Sequence, residues 1–551
     1  MDDTQLPVDV LHWIAALVPL AVLLLLLVVL RWKAPEAGPI GMFTAAAIAL
    51  LLFRTPFETL IVGGARGVWD ALFILFVVWP ALLLYRVVER AGAFAALRNG
   101  IERYTRNELF LVMGFAWVFA SFLQGIAGFG APIAVVAPLL VALGVRPLFA
   151  VALPLIGHAW ANMFGTLAVG WLATLRVVEL EDPTRVAFET AILLWIPSIA
   201  AGFSIAWLYG RGAAVRAALP MILVIATVHG GGQLLLTLWD PVLSTFIASS
   251  IALLLLYPLS RWKRYSEPAE GIERRPAMKD EDADATARAR DEEIEHEGEP
   301  VMSLPMALLP YAVLTVISIA ALVPDRVEEA LGGVEVGLAF PEVSTNYGLV
   351  TEAEDPYSPF APFTHPGTFL LLSAIVVWIV YRTKGYYEAY AERRDREAGL
   401  LASLADDAVP ASVAIVGFLV MSTVMEASGQ TAVLAQGIAE VAPPTIFAFL
   451  STWIGVLGAF MTSSNTASNI LFAPLQQDTV VALEGLRQPP IIGAQSTGGA
   501  IGNAIAPANV VLGTGTAGNV GEEGEILRRT LPWTIGVAVL VGLATVALNA
   551  W

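Results

Sequence analysis

Apolar runs of about 20 residues recur along the whole chain, and most are long enough to cross a hydrocarbon core about 30 Å thick. They lie at 11–30, 38–53, 68–85, 190–209, 217–238, 241–259, 303–323, 366–382, 408–425 and 531–549. Backbone polar groups at membrane depth must be satisfied internally, so runs of this kind fold as helices. The expected fold class is an all-α polytopic membrane protein with about 12–14 membrane segments once interrupted ones are counted. Composition agrees: of 551 residues, 57% are hydrophobic and 14% charged, whereas a soluble domain is about a quarter charged. Trp13, Trp32, Trp262 and Trp533 stand near span ends, as interfacial residues do. The first run reads as a span and not as a signal peptide. It is too long, lacks a basic start and meets no small-residue cleavage site at "VVLRWK".

Several function classes fall away. The chain has no cysteine, which excludes disulfides, thiol catalysis and Cys-ligated metals. No G-x4-G-K-[ST] loop is present, which argues against an ATP-driven pump, and "GFGAP" has no βαβ unit around it to bind a dinucleotide. No enzyme signature, resident cofactor or metal site is expected. The net charge of −17 is localised in the acid-rich stretches 267–299 and 325–355, which read as solvated loops. Only four of the 31 basic residues are lysine, and a salt-adapted acidic surface is the second reading of the charge. No basic, aromatic-interleaved patch suggests nucleic acid as a partner. The partner the apolar runs imply is the lipid bilayer.

Lys and Arg crowd the cytoplasmic side of membrane proteins. Basic clusters at 31–33, 85–106, 211–216, 261–290, 382–396 and 528–529 contrast with a single arginine in 324–365. An N-terminus outside the cell makes every cluster cytoplasmic and 324–365 external. Two stretches then match: "ERAGAFAALRNGI", from Glu89, and "EASGQTAVLAQGI", from Glu426. Trp117 precedes Ala137-Pro138 at the spacing by which Trp453 precedes Ala473-Pro474. Arg146, Gly157 and Asn162 are spaced as Arg487, Gly498 and Asn503. Several matches in one order indicate duplication. The first copy is arginine-rich and the second, 426–442, has no Lys or Arg, so the copies are expected to be inverted. The expected organisation is a first repeat at 1–210, a two-span connector at 211–260, an acidic cytoplasmic linker at 261–302 and a second repeat at 303–551.

Each repeat carries a segment that is apolar at its ends and broken in the middle. In the first it is "QGIAGFGAP", Gln124 to Pro132, where three glycines and a proline disfavour helix. In the second it is "TSSNTASN", Thr462 to Asn469, with seven hydrogen-bonding side chains in eight residues. A lone Ser or Thr can bond back to its own helix, but seven together at membrane depth point to a binding site. A broken helix offers free N–H groups and a positive dipole end to a carboxylate. A third polar patch, "AQSTGGAIGNAIAP" at 494–507, corresponds to "IGHAWANMFG" at 156–165. The candidate substrate-binding residues are Gln124, Gly128, Phe129, Gly130, Ala131, His158, Asn162, Ser464, Asn465, Thr466, Asn469, Ser496, Thr497 and Gly498. His158 and Glu426 are the candidates for ion coupling. Each has a plainer alternative, a packed histidine and an interfacial acid.

The stretches "QGIAGFGAPIAVVAPLLVALGVRPLFA", "FMTSSNTASNILFAPLQ", "STGGAIGNAIAP" and "VGEEGEILRR" resemble the signature stretches of the lactate permease family, in the same order across most of the chain. The resemblance implies a plasma-membrane symporter that imports lactate, and in some members glycolate, with protons. It also implies two inverted repeats with hairpin-tipped sites. Two positions depart from the pattern of the best-known members. Gln124 stands where they have Glu, and Asn465 where they have Asp. Amides can bond a carboxylate but cannot titrate, so protons cannot be coupled through these two positions. The expected function is symport of a small monocarboxylate, lactate first, with H⁺ through His158 or Glu426, or with Na⁺. The alternatives are a Na⁺-coupled carrier of another organic anion, such as a dicarboxylate, and an ion antiporter without organic substrate.

Overall fold

The computed structural model describes residues 6–551 apart from 31, 95, 97–104, 127, 129, 270, 273–274, 280–300, 323 and 392–398. Phe129, most of the acidic linker and part of the 85–106 arginine cluster lie outside the described residues. Among the described residues, ten helices are long and apolar enough to cross a membrane, or up to twelve if two bent pairs each count as one span. The molecule is an all-α polytopic membrane protein, as the apolar runs require.

In chain order the helices that matter here are α1 Val10–Leu24, α2 Ala34–Leu51, α3 Phe57–Arg90, α4 Glu108–Ile126, α5 Ala131–Ala142, α6 Pro147–His158 and α7 Gly165–Val177. Next come α8 Pro183–Thr237, bent back on itself at Gly210 and Arg211, and α9 Pro241–Arg261. The second half holds α10 Leu309–Leu322, α11 Pro366–Thr383, α12 Leu400–Ala427, α13 Gln430–Val441, α14 Pro444–Thr462, α15 Asn465–Ala482, α16 Gln488–Gly502, α17 Pro507–Ala517 and α18 Glu523–Asn549. The run read at 68–85 is the interior of the 34-residue α3.

Between α10 and α11 the acid-rich stretch is folded, contrary to its reading as a solvated loop. It forms β1 Val336–Phe340, β2 Val343–Ser344, β3 Val350–Thr351 and β4 Glu354–Phe360, with β1 antiparallel to β4 and β2 to β3. The reason lies in buried charge on α3 and α7. The Arg66 guanidinium donates to the Glu352 carbonyl at 2.6 Å and to Glu354 at 3.3 Å. Tyr357 donates to the buried Asp70 at 2.8 Å. Arg176 bonds the Ser358 hydroxyl and lies 3.6 Å from the Phe73 ring centroid. Such desolvated groups require partners, and the insert supplies them.

Two helical hairpins enter the bundle from opposite ends. The first is α4 and α5, joined at 127–130. Near its base Asn107 donates to the Glu267 carbonyl, and Arg146 N–H donates to the Ala277 carbonyl. The second is α14 and α15, joined at Ser463. Near its base Gly485 accepts from the Asn549 side chain, and Arg487 donates to the Leu548 carbonyl. Helix α18 connects these two levels. Arg529, near its start, lies over the ring of Phe149 beside the first hairpin, and Asn549, at its end, holds the second. Its 27 residues span about 40 Å at 1.5 Å per residue, a membrane thickness.

Candidate functional site: a cavity at four helix breaks

Among the described residues, four breaks in helical pairing converge. In the first hairpin Gly130 takes a left-handed φ of 87° and Pro132 follows it in the first turn of α5. In the second hairpin Ser463 ends α14 in the left-handed region, at φ 56°. Ser464 then caps α15, its hydroxyl accepting from Ala467 N–H at 3.2 Å. The cap leaves the N–H groups of Asn465 and Thr466 with no acceptor inside the helix. The third break separates α6 from α7, which are bent by 53°. There the chain passes through a left-handed turn at Thr166, Leu167 and Ala168. The fourth lies between α16 and α17, at Asn503–Ala506, with Pro507 starting the new helix.

These breaks enclose a cavity of about 490 Å³, counting its open mouth. Gln124, Gly128 and Gly130 line it from the first hairpin, and Ser463, Ser464, Asn465 and Thr466 from the second. His158, Asn162, Gly165, Thr166 and Val169 line it from the α6–α7 break, and Asn503 and Asn509 from the other. The two broken stretches singled out in the sequence thus share one wall. No Lys, Arg, Asp or Glu lines it, and His158 is its only ionisable side chain among the described residues.

Short hydrogen bonds fix the rim. Gly128 N–H donates to the Thr166 hydroxyl at 2.7 Å, tying the first hairpin to α7. His158 Nδ1 lies 2.5 Å from the Pro154 carbonyl. A carbonyl only accepts, so Nδ1 carries the hydrogen and Nε2 is the nitrogen left for other partners. Asn162 turns its amide nitrogen to the Ala159 carbonyl at 2.8 Å. Asn465 and, one turn on, Asn469 both donate to the Met163 sulfur, at 3.8 and 3.3 Å.

Eight of the sequence-derived candidates line the cavity: Gln124, Gly128, Gly130, His158, Asn162, Ser464, Asn465 and Thr466. Asn469 lies one turn deeper on α15, fully buried. Ser496, Thr497 and Gly498 are buried along α16, off the cavity wall. Ala131 faces a separate apolar hollow with Tyr85 and Tyr311. Glu426 faces a different, larger chamber of about 1160 Å³, counting its open mouth, with Arg66, Arg176, Glu354 and Tyr357, under the β-stranded insert.

The cavity also uses Gly165, Thr166, Val169, Ser463, Asn503 and Asn509, which were absent from the candidate set. Asn503 was findable, being the repeat counterpart of Asn162. Asn509 was not, because at the spacing that pairs Asn162 with Asn503 its counterpart is Ala168.

The two halves pack alike around the site. A Cβ on Gly157 would stand 1.9 Å from the Ala116 carbonyl oxygen, and one on Gly498 would stand 2.0 Å from the Thr452 oxygen. These carbonyls immediately precede Trp117 and Trp453, the matched tryptophans. In both halves a glycine lets the broken helix touch the first arm of its hairpin.

Comparison with known proteins assigns the family. The family described as L-lactate permease matches residues 12–550. An L-lactate permease of Halalkalibacterium halodurans is 28% identical over 549 residues, covering 97% of this chain and 96% of that protein. The L-lactate permease of Escherichia coli strain K12 is 26% identical over 564 residues, with 97% and 95% coverage. Glycolate permease GlcA of the same strain is 26% identical over 561 residues, with 97% and 94% coverage. Among solved structures, the Alcanivorax borkumensis YdaH transporter aligns with a TM-score of 0.36 at 16% identity, over 86% of this chain and 85% of that one. Neisseria gonorrhoeae MtrF aligns with a TM-score of 0.39 at 16% identity, over 88% and 82%. On the family match the chain is a multi-pass membrane permease, not an enzyme, and it belongs to the L-lactate permease family.

Proposed function

We propose that this chain is a secondary active symporter of a small monocarboxylate, lactate or glycolate, across the plasma membrane, with its N-terminus outside. The observation that carries the reading is the uncharged cavity at which two hairpin tips and two helix breaks meet. One carboxylate can take the N–H groups of Asn465 and Thr466 at the start of α15, and α5 begins on the same cavity. A helix N-terminus carries about half an elementary charge, so two supply about one. That suits a monoanion. A dicarboxylate would bring a second charge to a cavity lined by no Lys or Arg, which argues against the dicarboxylate alternative. The amides of Gln124, Asn162, Asn503 and Asn509 can bond the hydroxyl of a 2-hydroxy acid as well as its carboxylate.

The opposed hairpins and the parallel packing of Gly157 and Gly498 support two inverted repeats, at 1–210 and 303–551, about a pseudo-two-fold axis. Such an arrangement gives a central site alternate exposure to the two sides of the membrane. A co-ion must accompany the anion for accumulation. If it is a proton, the group on the cavity able to take it is His158, while Glu426 would act from the outer chamber.

The test is a substrate screen with purified protein in liposomes preloaded with unlabelled acids. Labelled L-lactate is expected to enter by exchange against lactate and glycolate, and not against succinate. Equal exchange against succinate would overturn the monocarboxylate reading.

A further inference from the structure

We infer that the amide oxygens of Asn465 and Asn469 form the core of a Na⁺ site at the floor of the central cavity, so that this chain couples transport to Na⁺. The inference rests on the transport reading above for its consequence, but not for the site itself. The two residues lie one turn apart on α15, are 3% and 0% exposed, and direct their amide nitrogens to one sulfur. Both Oδ1 atoms are buried without a hydrogen-bond partner. Ser496, on the facing helix α16, likewise has a fully buried hydroxyl with no partner. Gly499, one turn beyond Ser496, has no side chain where one would come within 2.2 Å of Asn465 Oδ1. The backbone of α16 therefore closes tightly over that oxygen.

Unpaired amide oxygens at membrane depth are costly, and each calls for an explanation, of which a bound ion is one. The atoms left over here are all oxygens of neutral groups. Hydroxyl, amide and carbonyl oxygens without counter-charge suit a hard monovalent cation, the role that unwound membrane helices give them. No group of three or more His, Cys, Asp or Glu able to hold a metal occurs among the described residues. The site therefore lacks the carboxylates that a divalent ion favours.

Gln124 and Asn465 carry amides, each with an oxygen able to ligate a cation and no proton to titrate. Charge balance then provides the coupling. A cation alone in a cavity without acids, or an anion alone in one without Lys or Arg, bears its full desolvation cost. Bound together they offset one another, with a substrate carboxylate oxygen free to complete the cation's shell beside Asn465.

The test separates ion site from substrate. First, thermal unfolding of the purified full chain in detergent is followed while NaCl replaces choline chloride at constant ionic strength, with no substrate. A saturable rise in Tm with Na⁺, absent with K⁺ and absent in Asn469→Leu, supports the site. Second, L-lactate uptake into proteoliposomes is measured with separate gradients. An inward Na⁺ gradient at equal pH is expected to raise the initial rate at least about ten-fold over choline. Asn465→Asp introduces a titratable group, so its uptake should gain a dependence on the pH gradient. This near-isosteric change also serves if Asn469→Leu fails to fold. Na⁺ stabilisation without any lactate uptake would leave the ion site standing and sink the lactate reading. Uptake driven by a pH gradient alone, with no effect of Na⁺ on rate or Tm, would overturn the inference while leaving lactate transport intact.

Discussion

The Thr166 hydroxyl accepts a hydrogen bond from Gly128 N–H at 2.7 Å, across 38 residues of sequence. It joins the tip of the first hairpin to the helix that leaves the cavity on the other side. Thr166 itself lies in the left-handed region, at φ 52°, where few non-glycine residues go. Thr166→Val keeps the shape and removes the acceptor, leaving a buried N–H unpaired at a cost of about 1–3 kcal/mol. We expect uptake to fall about ten-fold or more in the valine variant and to be largely restored in Thr166→Ser. Initial rates in liposomes at matched protein density make the comparison.

Gly498 lies against Thr452 where α16 packs on α14. A methyl group at Gly498 would have to push back a backbone carbonyl 2.0 Å away, and overpacking of this kind costs about 1–3 kcal/mol. Gly498→Ala should lower Tm in detergent by several degrees and reduce transport with it. Gly515→Ala is the control, since a Cβ there meets nothing within 4 Å, and it should leave Tm unchanged or raised.

Much of this site was legible in the sequence because helix breaks at membrane depth are conspicuous. Gln124, His158, Asn162 and Asn465 each interrupt an apolar run, and all four line the cavity. What could not be read depends on distant partners. Thr166 is an ordinary threonine in sequence, and only the left-handed turn after Gly165 aims it at Gly128. The acid-rich 325–355 segment lacks the alternation of a strand. It folds because Arg66 and Asp70, some 287 positions from Tyr357 and Glu354, need buried partners. Local pattern carries no record of such pairing. The same limit applies to Glu426, whose match with Glu89 gave no sign of the chamber it faces.

Arg176 clamps the insert to the helix that leads from the cavity. Its guanidinium reaches Ser358, lies 3.8 Å from the fully buried Asp70 and stacks on Phe73. Removing one partner of a buried pair costs about 3–5 kcal/mol, because the other charge stays behind. Arg176→Ala should therefore loosen 336–360 and make it sensitive to protease added to the purified protein in detergent. Arg176→Ala combined with Asp70→Asn should recover part of the protection. Equal resistance in the wild type and Arg176→Ala would show that the clamp contributes nothing.

His365 gives the insert a dependence on acid. It is 4% exposed among Phe73, Phe76 and Phe360, and its Nδ1 accepts from Gly367 N–H. Burial, with the nearby Arg176 charge, pushes its pKa down to about 3. A group with a depressed histidine pKa stays neutral when folded but takes a proton when unfolded. Stability is thus complete above pH about 6.5 and falls as pH drops from there toward 3. Between pH 6.5 and 5 the loss approaches about 2 kcal/mol. His365→Asn keeps a cap for Gly367 and removes the titration. Thermal unfolding at pH 7.5 and 5 should therefore show a smaller acid loss in the variant than in the wild type.

The measurement that tests the account most directly is counterflow of labelled L-lactate into proteoliposomes, in the wild type and in Asn465→Ala. Asn465 stands at the start of α15, on the wall shared by both hairpins. The account predicts concentrative entry of label against preloaded lactate in the wild type, and its loss in a variant that retains the wild-type elution profile. Wild-type vesicles that fail to exchange lactate or glycolate, or an Asn465→Ala variant with unchanged kinetics, would contradict it.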